Sequence, residues 1–147
     1  MDKKFNIKNY TTDVPADRSI LEIERLLTLF GAEAIIKEYD ANQRVHSLSF
    51  KLKDDAFKLP ANIEGVKEIL FKGKRPPPTK ELEKRRAQKA SRVAWRIIKD
   101  WTHSQLSLIA SGQAKPLEIF LPYMFDGKLT FFEKFEANRL LPPKKEK

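Results

Sequence analysis

Cysteine is absent from the 147-residue chain. That excludes disulfides, a thiolate nucleophile and cysteine-ligated zinc or iron–sulfur sites. Histidine occurs twice, at His46 and His103, and the pair has no metal-ligand spacing. The five glycines, Gly31, Gly65, Gly73, Gly112 and Gly127, are scattered, so no glycine-rich phosphate loop forms and no nucleophile elbow is present. No apolar run approaches the roughly 18 residues needed to span a bilayer. The opening MDKKFNIKNY lacks the basic-then-apolar order of a secretory signal. These absences predict a soluble, cytoplasmic protein with no cofactor, no bound metal and no membrane partner, and they leave enzymatic activity open.

What is present in excess is positive charge, and it is local. The net charge is +9. Residues 1–71 hold 11 basic and 12 acidic side chains, and residues 100–147 hold 7 and 6. Residues 72–99 hold 11 basic side chains against Glu81 and Glu83 alone, so the whole excess lies in one 28-residue window. A diffuse positive balance mainly affects solubility, whereas a concentrated one creates a field that collects phosphates.

Periodicity gives an α+β reading. Phe5 and Ile7 alternate with polar neighbours and predict a short strand over 5–11. Ile20, Ile23, Leu27 and Phe30 form one apolar stripe of a first helix, with Ser19/Glu22 at capping-box spacing, Asp17 as a competing cap and Gly31 as its stop. Residues 32–40 and 44–53 read as a hairpin turning at Asp40–Gln43. In its second strand His46, Leu48, Phe50 and Leu52 share a face. Residues 56–59 suggest a further short strand. Residues 61–71 suggest a short helix with Ile63, Val66, Ile69 and Leu70 inward. The expected N-terminal unit (1–72) is therefore β-α-β-β(-β)-α with a small antiparallel sheet. A basic Pro-rich linker follows (73–78), then a helical part (79–137) built on one long amphipathic helix, and a disordered tail (138–147). Thr79 is the expected N-cap of the long helix, Ser111-Gly112 its end, and Pro116 the start of another helix.

At about 100° per residue, Ala90, Val93, Ala94, Ile97, Ile98, Trp101, Gln105 and Leu108 gather on one side of the long helix. Arg85, Lys89, Arg92, Arg96 and Lys99 gather on the other, with Trp95 beside them. A row of cations on a rigid rod can follow a phosphate backbone, Arg pairs with phosphate bidentately, and an exposed Trp95 can stack on an unpaired base. Lys72, Lys74 and Arg75 on the linker extend the same field. The expected function is thus nucleic-acid binding, to DNA or RNA, through Lys72, Lys74, Arg75, Arg85, Lys89, Arg92, Trp95, Arg96 and Lys99. The alternative is a protein-interaction module, such as an inhibitor or accessory subunit of a host nucleic-acid-processing complex. A metal nuclease would need carboxylates converging near the basic groove, and Glu33, Glu38 and Asp40 are the candidates. The aromatic set Phe120, Tyr123, Phe125, Phe131, Phe132 and Phe135 either closes the core or forms a contact surface.

The segments YTTDVPADRSILEIERLLTLFGAEAIIKEYD, VHSLSFKL, SRVAWRIIKDWTHSQLSLIASG and IFLPYMF resemble small uncharacterised proteins of bacteria, phages and mobile elements. The likeness covers about residues 10–70 and 91–125 and carries no catalytic motif. It implies a setting of DNA handling or interference with a host protein.

Overall fold

A computed structural model describes residues 5–140, with the side chains of Arg139 and Leu140 excepted. It is an α+β protein, with five helices and one three-stranded antiparallel sheet among the described residues. The elements are α1 (Ala16–Leu29), β1 (Ala34–Tyr39), β2 (Val45–Leu52), β3 (Asp55–Pro60), α2 (Ile63–Leu70), α3 (Lys80–Ala110), α4 (Pro116–Phe120) and α5 (Phe131–Leu140). A 3₁₀ turn, Leu121–Tyr123, follows α4. The sheet order is β1-β2-β3, and β1 lies antiparallel to β2 with Ile35 opposite Phe50. The chain groups into two compact units that are discontinuous in sequence. One comprises residues 1–30 and 60–105, the other residues 31–59 and 106–147. A cut at 73–78 follows chain order instead.

In the first unit, Ile20, Ile23 and Leu27 of α1 are buried, as are Ala90, Val93, Ala94 and Trp95 of α3. The strand expected over 5–11 does not form. Asn9 takes φ 64°, Thr12 N–H bonds its carbonyl, and its side chain donates to Asp100 at 2.9 Å, so this stretch is a turn. Helix α1 starts earlier than either expected cap. Pro15 precedes it, its fixed φ suiting a helix entry, and Ser19 is buried within the helix. In α2, Ile69 is 59% exposed rather than inward, because the helix has only two turns and no residue fully covered. Thr79 caps α3 as expected, accepting from Leu82 N–H at 3.1 Å.

The second unit is centred on three rings. Phe50 of β2, Phe57 of β3 and Phe120 of α4 lie 5.4–5.5 Å apart between centroids. β2 is covered on both faces: Leu48 and Phe50 are buried, and so are Val45, Ser47 and Ser49 on the opposite face. Met124 bridges to Phe57, and Phe125 bridges to Thr130, so a short extended segment lines the outer edge of β3. Gly112 (φ 79°) ends α3 in the left-handed conformation that glycine adopts without strain. Helix α5 includes residues 138–140 of the expected tail, and residues 141–147 lie outside the described residues.

Candidate nucleic-acid interface

The basic row begins where α2 stops. Phe71 closes α2, Gly73 turns with φ 81°, and Lys74 N–H bonds the Phe71 carbonyl at 3.0 Å. Pro76, Pro77 and Pro78 then carry the chain in non-helical form to Thr79. Arg86 of α3 secures this loop. Its guanidinium donates to the Arg75 carbonyl at 2.9 Å and stacks over the Phe71 ring at 4.9 Å. Lys72, Lys74 and Arg75 are exposed, as are Lys80, Lys84 and Arg85 in the first turns of α3, and Lys89 is half-buried. Among the described residues none of these seven makes an ion pair.

The far half of the row is different. Arg96 pairs with Glu22 of α1, and only 20% of its side chain is exposed. Lys99 lies 3.6 Å from Asp100, with its side chain 17% exposed. Asp100 also accepts from Asn9 and pairs with Lys8 at 3.3 Å. Burial acts to raise the pKa of Asp100, but the hydrogen bonds from Asn9 and Lys8 prevail and hold it below its ordinary value. Arg92 is half-buried, and its Nε is enclosed without a hydrogen-bond partner. The five-cation rod expected from Arg85 to Lys99 is therefore open at Arg85 and Lys89 and closed at Arg96 and Lys99. The cause is α1, whose Glu22 answers Arg96 from 74 residues away.

Trp95 also requires correction. It is fully buried rather than exposed beside the cations, so it offers no stacking face, while Trp101 is only half-buried. The helix wheel places Trp95 beside the cations, but Ala90, Ser91, Val93 and Ala94 are covered too, so the buried arc is wider than the apolar stripe and Trp95 lies at its margin. An indole at such a margin goes inward because it carries the largest apolar surface. Lys80 and Lys84 belong to the open cluster although they lie off the expected stripe. Their signal in the sequence is proximity to the linker cations, not helical phase.

Two of the three carboxylates considered for metal chemistry, Glu38 and Asp40, are engaged elsewhere, while Glu33 bonds the Lys51 carbonyl through its backbone N–H. Glu38 accepts from Ser47 at 2.9 Å and pairs with Lys58 at 3.2 Å, contacts that lower its pKa. Asp40 accepts from the backbone N–H of Asn42 and Arg44 and builds the β1–β2 turn. Among the described residues no three His, Asp or Glu side chains converge as a metal site. No described helix is long and apolar enough to cross a membrane. Compared with family models, curated proteins and solved structures, the chain matches none.

Proposed function

We propose that the protein binds nucleic acid without catalysis, through the segment from Lys72 to Lys89. The observation that carries this reading is eight cations in 18 consecutive residues, accompanied only by Glu81 and Glu83, of which the seven other than Arg86 make no ion pair among the described residues. Folding normally disperses like charges or answers them with acids, as it answers Arg96 with Glu22. A cluster left unanswered costs self-repulsion, which an external polyanion removes. The cluster sits on a proline-stiffened loop and the opening turns of a long helix, so its cations are held along a line. The interface is narrower than the row read from the sequence, since Trp95, Arg96 and Lys99 serve the fold.

Titration of labelled single-stranded and duplex oligonucleotides across salt tests it. Seven phosphate contacts give a slope of log K on log salt of about −5 for single strands and about −6 for duplex. Lys74→Glu, Arg75→Glu and Arg85→Glu together are expected to weaken low-salt binding at least about tenfold and reduce the slope by about 2 or more. Equal binding by wild type and the triple variant contradicts the proposal.

A second reading, docking on an acidic segment of a partner protein, is favoured by a cleft beside the same cations. Lys67, Glu68, Phe71, Pro77, Glu83 and Arg86 line a cavity of about 210 Å³. It offers rings and hydrocarbon for an apolar anchor, with Lys67 and Arg86 at its wall. Host-protein capture that survives nuclease and is lost in the triple variant supports this reading. Capture abolished by nuclease contradicts it.

A further inference from the structure

The aromatic set divides in the structure. Phe120 joins the core, whereas every residue of α5 from Phe131 to Asn138 is exposed. Phe131, Phe132 and Phe135 are 46%, 53% and 52% exposed and lie within about 100° of helix circumference. At about 200 Å² per phenylalanine, they leave roughly 300 Å² of ring surface in water. The 3₁₀ turn packs against α5 and carries Leu121, 38% exposed, while Leu129 just before the helix is 42% exposed and Leu117 of α4 is 46% exposed. These leucines add roughly 200 Å² of exposed apolar surface to the same unit.

We propose that this patch associates two copies of the chain, with α5 of one antiparallel to α5 of the other about a two-fold axis. Three observations select a second copy as the occupant. First, the exposed rings of two copies bring together roughly 600 Å² of apolar surface, the size of a weak, reversible contact that concentration drives. Second, repulsion between copies is least there. The unit that contains α5 has 12 basic and 10 acidic residues, against 17 and 10 in the other unit. Third, α5 itself has two acids and two bases in its sequence, so an antiparallel meeting sets no net like charge face to face and opposes the helix dipoles. This inference does not depend on nucleic-acid binding. If both hold, the dimer presents two basic segments and gains affinity through effective concentration.

Light scattering on the size-separated full chain, in nucleic-acid-free buffer, measures the mass. The expected result is a concentration-dependent rise toward twice 17.1 kDa that Phe132→Glu abolishes while circular dichroism stays unchanged. The absence of cysteine supplies an independent measurement that does not rely on a charged ring position. Phe132→Cys is expected to form a covalent dimer under diamide, and Leu29→Cys, 88% exposed in the other unit, is not. A wild-type mass of 17.1 kDa at every concentration overturns the proposal, as does a doubled mass in folded Phe132→Glu or equal cross-linking of the two cysteine variants.

Discussion

Whether a basic side chain serves the fold or faces outward depends on what stands opposite it. Arg96 has Glu22, and the two side chains are only 20% and 29% exposed. Removing one member of such a pair leaves the other partly desolvated. Arg96→Ala is therefore expected to lower stability by about 1–2 kcal/mol, discounted for the remaining exposure, as read from urea denaturation. The same variant is expected to leave the salt slope of oligonucleotide binding unchanged, and a slope reduced by one contact contradicts that division of roles. At this scale the sequence was only partly legible. Helical phase puts Arg85, Lys89, Arg92, Arg96 and Lys99 on one arc. Phase does not reveal that Glu22 on a separate helix reaches Arg96, or that Trp95 is enclosed, because both depend on which element covers the arc's margin.

Among the elements, those with strong local signals were readable. The hairpin of β1 and β2, the capped start of α3 at Thr79 and its glycine stop at Gly112 follow from alternation, capping and left-handed backbone. The missing first strand followed from a tertiary contact, Asn9 to Asp100, that no local pattern contains. The turn before α5 offers a test in which short-range contacts dominate. Asp126 accepts from the backbone N–H of Lys128 at 2.8 Å and of Leu129 at 2.9 Å, and pairs with Lys134 at 2.7 Å. The Lys134 contact first, then the two N–H groups, hold its carboxyl well below the usual carboxylate range. Glu38 and Asp100 are lowered as well. A carboxylate with a depressed folded pKa stabilises the fold above its unfolded value and ceases to as pH falls through the folded one. The thermal midpoint is thus expected to decline as pH falls below about 4. Asp126→Ala is expected to lose stability at neutral pH and to show a shallower acid decline, and an unchanged acid slope contradicts this account.

For the whole molecule, chemistry is distributed unevenly between the two units. The unit with α1, α2 and most of α3 holds 17 basic and 10 acidic residues, and its cations are concentrated from Lys72 onward. The unit with the sheet and α5 is nearly neutral and exposes three phenylalanines. The charge concentration was visible in the sequence as a simple count, because composition by window needs no structure. The grouping of residues 60–105 with residues 1–30 was not, because α3 runs unbroken through the boundary of both units. The most direct measurement is a backbone-amide NMR titration of the isotope-labelled chain with a short oligonucleotide at low salt. The account predicts shifts concentrated from Lys72 to Lys89, with Trp95, Arg96 and Lys99 nearly unmoved. Shifts centred on Arg96 and Lys99 with the loop from Lys72 to Pro78 silent, or no shifts anywhere, would contradict it.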